Sequence, residues 1–371
     1  MMLFLTLATF SQTGGVQMVC RSMTKALYNI SLQQNQGFQV LSLCDAATDV
    51  NLNYVGSKCY KAFNYKRLKF MLYAVWKACS AKTVILAHVN LLPLAFLIKL
   101  FSPATEITLL AHGKEVWGDT PWWKKRLLNK QVRIWAVSRF TKKVLVEKHR
   151  ITSSRIQILN NCLDPLFEVP EQFNKPDYLL KRYNIHVNDK IILTLTRLDR
   201  FEQEKGYDLI LESLPTLIRD FPNVRYVIAG KASDDERFRL AAKVRELKLQ
   251  QHVRLTGFVR HEELTDHHLL SDIFALPSSK EGFGLVFPEA AACGSQVIAG
   301  NRDGSADAVL DGVTGCLVDP HSRAEIVQAL KNLLQEPNDA QDQKRRQEIV
   351  TRVFSFEKYQ ENIYSLLTDA R

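Results

Sequence analysis

The stretch that decides the fold reads Ser278-Ser279-Lys280-Glu281-Gly282-Phe283-Gly284-Leu285-Val286-Phe287-Pro288-Glu289-Ala290-Ala291. It follows a short apolar run, Ile273–Leu276, and passes through two glycines into a segment with the composition of a helix. This order of buried strand, glycine loop and helix is typical of open α/β sheets, which bind ligands beyond the carboxyl ends of their strands. We therefore expect a ligand site on this loop.

The same alternation of short apolar runs and longer amphipathic segments continues on both sides of this stretch. Because the apolar runs are continuous, they predict parallel sheets covered by helices on both faces. The predicted strands are Leu3–Ala8, Val84–Ala87, Ile107–Leu110, Ile134–Val137, Ile191–Thr196, Arg225–Ala229, Val253–Thr256, Ile273–Leu276 and Gln296–Ala299. The predicted helices are Gln17–Ile30, one from about Asn90, Arg139–Glu147, Gly206–Asp220, Asp235–Leu247, Glu262–Leu270, Val286–Cys293, Arg323–Leu334 and Phe356–Leu367.

The length and the pattern together indicate two domains. The chain has 371 residues, and a domain typically has about 150. Polar residues and two prolines interrupt the pattern near Val169–Pro176. We predict two Rossmann-like α/β domains, 1–170 and 171–354, facing a central cleft. The last helix is spare to the second sheet, so we expect residues 355–371 to cross back and pack on the first domain.

The glycine loop carries groups suited to a nucleoside diphosphate sugar. Gly282 and Gly284 let the backbone approach a ligand closely. The N–H groups around Phe283–Val286, at the positive end of a helix dipole, suit an anion such as a diphosphate. Glu281 can accept hydrogen bonds from sugar hydroxyls, and Glu289 can accept them from a ribose diol.

Two cations precede the next predicted helix of the second domain. Arg197 follows the strand Ile191–Thr196, and Lys205 stands just before Gly206. Each could be an ordinary surface cation, since charged side chains are mostly exposed. A pair of cations at a strand-to-helix crossing can also clamp a diphosphate and stabilise it as a leaving group. The Glu281 loop favours this second interpretation.

These residues carry a family resemblance. The pairing of Arg197 and Lys205-Gly206 with Glu281-x7-Glu289 resembles the retaining GT-B glycosyltransferases of the glycosyl transferases group 1 type, family GT4. The resemblance is dense from Leu193 to Pro320 and looser before it. It implies catalytic roles for His112, Arg197, Lys205 and Glu281. It implies donor binding by Gly14, Gly15, Val259, Gly282, Phe283, Gly284, Leu285, Val286 and Glu289.

His112 is a separate case, because a lone histidine is more often structural than functional. It stands at the carboxyl end of the predicted strand Ile107–Leu110 and precedes Gly113, which favours a place near a ligand. The family pattern implies that it lies beside the transferred sugar. The sequence has no Asp-x-Asp motif and no histidine pair with metal-ligand spacing, so we expect no metal and no cofactor.

The charge of the chain is uneven. The net charge is +10, but residues 1–170 contain 22 Lys and Arg against 8 Asp and Glu. A basic half indicates an anionic partner, and we expect a lipid-linked or otherwise phosphorylated acceptor, or an anionic membrane surface, rather than nucleic acid. Tyr65–Lys69 and Trp122–Arg126 combine aromatic rings with cations in the way of membrane-interface segments. A solvated helix face with one buried ring explains each of them equally well.

The remaining features bear on location. The seven cysteines form no CxxC pair, so we expect reduced thiols and a cytoplasmic protein that is peripheral on the inner face of the membrane. Met1–Phe10 has the pattern of a buried first strand rather than a signal peptide. Leu91–Phe101 is the most apolar helix segment. We predict it to be a core helix, because it contains Lys99 and is shorter than the roughly 20 residues of a membrane span.

The predicted function is transfer of a hexosyl unit from a UDP- or GDP-sugar to an acceptor hydroxyl, with retained configuration and without a metal. The expected acceptor is a lipid-linked glycan of surface polysaccharide biosynthesis. The first alternative is a related transferase with a small soluble acceptor, such as a sucrose-phosphate-type synthase. The second is a non-catalytic protein that binds anionic surfaces. A dinucleotide oxidoreductase is disfavoured, because Gly14-Gly15 is not part of a GxGxxG motif.

Overall fold

The computed structural model describes residues 1–368, except for the side chain of Gln203. The chain forms two compact units. The first contains Met1–Pro165 and the stretch that begins at Phe354, and the second contains Leu166–Val353. The backbone N–H of Leu163 donates to the carbonyl of Phe354 at 2.9 Å, which joins the two segments of the first unit.

The first unit is built on a seven-stranded parallel sheet with the order β3-β2-β1-β4-β5-β6-β7. Its central strands consist almost entirely of buried residues, as expected for a sheet covered on both faces. The strands are β1 Met2–Thr6, β2 Phe38–Ser42, β3 Tyr60–Ala62, β4 Thr83–Leu86, β5 Glu106–Ala111, β6 Arg133–Ala136 and β7 Ile156–Ile158.

Helices cover both faces of this sheet. The helices of the first unit are α1 Gly15–Gln33, α2 Arg67–Ala78, α3 Leu92–Phe101, α4 Lys114–Trp117, α5 Trp122–Lys130 and α6 Arg139–Glu147, together with a last one at Phe356–Thr368. Buried side chains of α2, α3 and α5 share one core with the sheet. Those of α1 and the last helix share the core of the opposite face. The predicted return of the last helix to the first domain is therefore confirmed.

The second unit has a six-stranded parallel sheet with the order β10-β9-β8-β11-β12-β13. Its strands are β8 Lys190–Leu195, β9 Val224–Ala229, β10 Val253–Gly257, β11 Ile273–Leu276, β12 Gln296–Gly300 and β13 Gly315–Val318. Its helices are α7 Asp177–Tyr183, α8 Tyr207–Asp220, α9 Asp234–Glu246, α10 Leu264–Leu270, α11 Val286–Ala292, α12 Arg323–Gln335 and α13 Ala340–Val353. The last helix, Phe356–Thr368, is α14.

The predicted strands and helices are all present, within a few residues of the expected ends. Ser138 caps α6 by accepting a hydrogen bond from the N–H of Thr141, as expected. The sequence did not reveal the edge strands β3, β7 and β13 or the neighbouring strand β2. It also did not reveal the helices α2, α4, α5, α7 and α13. The segment Leu91–Phe101 was predicted to be a core helix, but only one face of the helix is buried. Leu92, Ala95 and Ile98 are buried, whereas Phe96, Leu100 and Phe101 are exposed.

Within the residues that the structure describes, no helix is long and apolar enough to span a membrane. All seven cysteines, which lie within the described range, are free thiols.

Candidate functional site

The glycine loop lies at the carboxyl end of β11, near the middle of the second sheet, where β8 and β12 are its neighbours. Ser278 is fully buried at the start of the loop, and its hydroxyl accepts a hydrogen bond from the N–H of Lys280. The loop ends at Leu285, which precedes α11 and provides no side-chain cap for it. The sequence therefore placed the loop correctly at a strand's carboxyl end, where α/β proteins bind ligands.

Lys205 and Glu281 form an ion pair in this loop region. The ammonium group of Lys205 donates a hydrogen bond to Oε1 of Glu281, and the two side chains are only 11% and 18% exposed. Burial opposes the charge of Lys205, but the Glu281 carboxylate outweighs that effect, so the pKa of Lys205 lies above its usual value. Lys205 is therefore a permanent cation beside the loop, although the two residues are far apart in sequence.

Asp303 fixes the backbone of the loop from a neighbouring segment. Its carboxylate accepts one hydrogen bond from the N–H of Glu281 at 2.6 Å and another from the N–H of Ser305 at 2.9 Å. Burial raises the pKa of Asp303 to about 6. The sequence analysis did not assign a role to Asp303, because nothing in the sequence shows that its carboxylate reaches a backbone group 22 residues away.

Two glycines in this region are required by geometry. A Cβ atom on Gly304 would lie 1.9 Å from the carbonyl oxygen of Gly282, so any side chain there would push the two segments apart. Gly284 has a φ of +85°, which other residues rarely adopt, and a Cβ atom there would meet the ring of Phe287 at 2.4 Å. The sequence predicted Gly282 and Gly284 as points of close approach to a ligand. The structure shows that Gly284 also serves the packing of the loop itself.

Arg197 is not paired with the same carboxylate as Lys205. It forms a hydrogen-bonded ion pair with Glu202, and its side chain is 67% exposed. The side chain of Glu202 is only 18% exposed, so Arg197 is the member of this pair that solvent or a ligand can reach. The predicted cation clamp thus consists of a buried Lys205 and an exposed Arg197, each held by a different glutamate.

Glu289 lies in the first turn of α11 and is buried. His268 on α10 lies close to it. The distance between Nε2 of His268 and Oε2 of Glu289 is 3.8 Å, which is longer than a hydrogen bond. Among the described residues, neither ring nitrogen of His268 has a hydrogen-bond partner. No role was predicted for His268, because only the packing of α10 against α11 brings its ring close to Glu289.

Val259 lies in the loop after β10 and is half-buried, between the exposed residues Phe258 and Arg260. The remaining predicted donor-binding residues, Phe283, Leu285 and Val286, lie in the glycine loop and at the start of α11. Phe283 is buried, whereas Leu285 and Val286 are half-buried.

In the first unit, Gly14 and Gly15 begin α1 directly after the β1 loop. A Cβ atom on Gly15 would meet no atom within 4 Å, so the fold of this unit does not itself require glycine there. The β1 loop is fixed by Asp45, which is fully buried and accepts hydrogen bonds from the N–H groups of Thr9 at 2.9 Å and Phe10 at 3.1 Å. Asp45 is a second positioning carboxylate that the sequence analysis missed.

His112 lies at the carboxyl end of β5, as predicted. Its Nε2 is 2.7 Å from the carbonyl oxygen of Ala87, and its backbone N–H donates to Glu115 at 2.6 Å. Since a carbonyl can only accept, Nε2 carries a proton. Nδ1 is buried and lacks a hydrogen-bond partner among the described residues.

Within residues 1–368, no group of three or more His, Cys, Asp and Glu side chains has the arrangement of a metal site.

Comparison with known proteins decides the family of this loop region. A family model described as glycosyl transferases group 1 matches residues 179–349. This segment belongs to the glycosyl transferases group 1 family. The family recognised from Arg197, Lys205, Glu281 and Glu289 is thereby confirmed, and all four residues lie within the matched segment.

Two relatives illustrate the glycosyl transferases group 1 match. The chain is 36% identical over 150 residues to a GDP-mannose-dependent alpha-(1-6)-phosphatidylinositol monomannoside mannosyltransferase of Mycolicibacterium smegmatis, a match that covers 38% of this chain and 39% of the relative. It is 31% identical over 199 residues to a D-inositol 3-phosphate glycosyltransferase of Corynebacterium aurimucosum, covering 52% and 46%. The matches thus span less than half the length of these relatives.

A solved structure extends the fold comparison beyond the glycosyl transferases group 1 segment. The Anabaena protein HepE, crystallised with UDP, matches 99% of this chain and 99% of its own with a TM-score of 0.80 at 18% identity. At this identity the likeness concerns the fold alone. The predicted fold class, α/β with two Rossmann-like domains of the GT-B type, is confirmed.

Proposed function

We propose that this protein transfers a hexosyl unit from a nucleoside diphosphate sugar to an acceptor hydroxyl. The observation that carries the proposal is the buried Lys205–Glu281 pair at the carboxyl end of β11, inside a glycosyl transferases group 1 segment. The donor is a UDP- or GDP-sugar. The matched mannosyltransferase is named as GDP-mannose-dependent, and the HepE structure contains UDP.

In this proposal, the donor diphosphate approaches Lys205 and Arg197. Lys205 keeps its proton, so it stabilises the charge that accumulates on the leaving diphosphate. Glu281 accepts hydrogen bonds from the sugar once Lys205 turns to the phosphate, and Glu289 holds the ribose. Gly14, Gly15 and His112 of the first unit remain proposed donor-binding and catalytic residues.

The reaction retains the anomeric configuration in our proposal, and no protein side chain attacks the sugar. Glu281 is held through its backbone by Asp303 and through its carboxylate by Lys205, which suits an orienting role better than that of a nucleophile. We also propose that no metal is required, since Lys205 and Arg197 supply positive charge at the diphosphate.

The acceptor in our proposal is a lipid-linked glycan of surface polysaccharide biosynthesis. The Mycolicibacterium relative is named as a phosphatidylinositol monomannoside mannosyltransferase, which supports this class. The name of the Corynebacterium relative, with an inositol phosphate acceptor, supports a soluble phosphorylated one. Both classes are anionic and agree with the basic character of residues 1–170.

The deciding experiment measures donor hydrolysis and transfer with a panel of UDP- and GDP-sugars, with and without EDTA. We expect turnover of at least one donor, unchanged by EDTA, and a loss of at least 100-fold in kcat for Glu281→Ala. Glu262→Ala, in a short helical turn of the same unit, is the matched control and should keep full activity. If no donor binds to the wild type, the proposal is wrong. If donors bind without turnover or transfer, the protein is a non-catalytic binder.

A further inference from the structure

The outward face of α2, α3 and α5 exposes large apolar side chains. The three helices lie next to one another on one face of the first sheet, with α3 in contact with both others. Six of their side chains are between 61% and 75% exposed: Leu68, Leu72, Trp76, Leu100, Phe101 and Trp122. Soluble proteins rarely leave a large apolar patch without a binding partner.

The apolar side chains of α2 form one row. Leu68, Leu72 and Trp76 follow each other at intervals of four residues, so they share one side of the helix. The opposite side, with Phe70 and Ala74, is buried against the sheet. The exposed row is thus an addition to the core-facing row, and its side chains remain largely open to solvent.

The charged side chains of these three helices are all positive. The sequences of α2, α3 and α5 contain eight Lys and Arg and no Asp or Glu. The ammonium group of Lys77 lies 5.2 Å from the ring centre of Trp76, and that of Lys124 lies 5.6 Å from the ring centre of Trp123. Aromatic rings beside lysines, with leucines between them, are typical of surfaces that enter the headgroup region of a bilayer.

A basic cavity lies where α3 and α5 end. Its volume is about 400 Å³, and its lining includes four cations, Lys99, Lys130, Arg133 and Arg155, with Glu106 as the acidic member. Glu106 lies 3.8 Å from Arg133, so the net charge of the cavity remains positive. Lys99 immediately precedes Leu100 and Phe101. The cations of the cavity therefore lie beside the exposed apolar end of α3.

We propose that α2, α3 and α5 dock on an anionic lipid bilayer, with the apolar row in the interface and a lipid phosphate group in the basic cavity. A second copy of this chain fits less well, because two such faces would bring like charges together. Nucleic acid would use the cations but leave the leucines without a role. The inference goes beyond the proposed transfer reaction, since docking requires no sugar nucleotide.

The test is sedimentation with vesicles of phosphatidylcholine that contain either 30% or no phosphatidylglycerol. We expect binding to the anionic vesicles alone, weakened at least tenfold by raising NaCl from 50 to 500 mM. The double variant Leu72→Ser/Trp76→Ser should bind at least tenfold more weakly, and so should Lys130→Ser/Arg155→Ser. Phe238→Ser, which removes a ring that is 65% exposed in the second unit, is the matched control and should bind as the wild type does.

Two further measurements keep the outcome clear. Circular dichroism and hydrolysis of a soluble donor should be unchanged in all three variants, so a failure of docking and a failure of the transfer reaction are distinguishable. Equal binding to both kinds of vesicle, or to neither, would overturn the proposal. Self-association of the wild type that the Leu72→Ser/Trp76→Ser variant abolishes would also overturn it, and would identify the face as an interface between copies.

Discussion

The carboxylate of Asp303 holds the backbone of the glycine loop at Glu281. It is buried, it accepts two backbone N–H groups, and one of these belongs to Glu281. The ionised carboxylate accepts both hydrogen bonds with a negatively charged group, whereas protonation turns one of its oxygens into an O–H donor and weakens the hydrogen bond that this oxygen accepts. The backbone at Glu281 thus depends on the charge of a residue that contacts no proposed ligand.

The first prediction concerns the pH dependence of activity. Because burial raises the pKa of Asp303 to about 6, kcat of the wild type should fall as the pH drops below about 6. Asp303→Asn should lack this step, and it should reduce kcat about tenfold at pH 8, since an amide offers only one acceptor. The measurement is kcat and donor KM between pH 5 and pH 8.5.

The stability of the protein should respond to pH in the opposite sense. A carboxyl with a raised pKa binds its proton more tightly in the folded state, so its contribution to the free energy of unfolding decreases as the pH rises from about 4 to about 6. Thermal unfolding of wild type and Asp303→Asn at both ends of this window isolates the contribution of Asp303. A parallel loss of stability and activity on acidification would show that the carboxylate does not act in this way.

At the residue scale, the sequence predicted those groups that stand in a recognisable spacing. Glu281, Glu289 and Lys205 belong to this class. Asp303, Asp45 and His268 do not, because their partners are backbone groups or side chains from distant segments. A buried carboxylate that accepts backbone hydrogen bonds leaves no local pattern in a single sequence.

At the scale of elements, a side-chain network fixes the start of α8 and with it the position of Lys205. Glu236 of α9 is fully buried and accepts hydrogen bonds from Tyr207 at 2.6 Å and from Arg239. Arg239 also binds both oxygens of Asp208, at 3.0 and 2.8 Å. Tyr207 and Asp208, which follow Lys205-Gly206 in the sequence, therefore tie α8 to α9.

The second prediction is that Arg239→Ala lowers the free energy of unfolding by about 3 kcal/mol, because Glu236 is left as a buried charge without its partner. Arg237→Ala is a matched control on the same helix. Its ion pair with Asp234 is exposed, with side chains 62% and 83% accessible, and should contribute at most about 0.5 kcal/mol. Urea denaturation at pH 7 measures both variants.

The stabilisation that this network provides should also be lost at low pH. Burial opposes the charge of Asp208, but its hydrogen bonds to Arg239 and Lys243 outweigh that effect and lower its pKa. A depressed pKa means that the contribution of Asp208 is present at neutral pH and is lost as the pH falls through the folded-state pKa. An Arg239→Ala variant as stable as the wild type at pH 7 would contradict the account.

Elements with a continuous apolar run were predictable, and those without one were not. β11 was predicted to its last residue, because Ile273–Leu276 is wholly apolar. β3 has no such run, since Lys61 lies in its middle and its three residues are partly exposed. α2 was seen only as a basic aromatic stretch, because its exposed row of Leu68, Leu72 and Trp76 obscures the usual contrast between an apolar and a polar side.

At the scale of the whole molecule, the first unit is assembled from two parts of the chain. Tyr359 and Ile363 of α14 are buried in one core with Met23 and Leu27 of α1. The sequence predicted this return, because α14 had no strand of the second sheet to accompany it. The proposed docking face of the first unit was foreseen only in part, as the basic aromatic segments Tyr65–Lys69 and Trp122–Arg126. The sequence did not show that α3 lies between the helices that contain them.

The third prediction is that Ile363→Ala lowers the free energy of unfolding of the first unit by about 3 kcal/mol, the usual cost of such a cavity. All five tryptophans, Trp76, Trp117, Trp122, Trp123 and Trp135, lie in the first unit. Tryptophan fluorescence during denaturation therefore reports on that unit. Tyr364→Ala changes the neighbouring, 45% exposed residue and is the control, expected to remain within about 0.5 kcal/mol of the wild type. An unchanged fluorescence midpoint for Ile363→Ala would show that α14 does not stabilise the first unit.

Because the first unit is formed by two separate segments of the chain, it cannot be completed when its first segment leaves the ribosome. A ribosome adds about 5–20 residues each second, and domains generally fold in the order in which they emerge. Here α14, which packs against the apolar side of α1, follows the whole of the second unit in the chain. The two helices can therefore pack together only after the second unit has been synthesised. We therefore expect the core around Met23 and Leu27 to be completed only after the second unit and α14 have emerged.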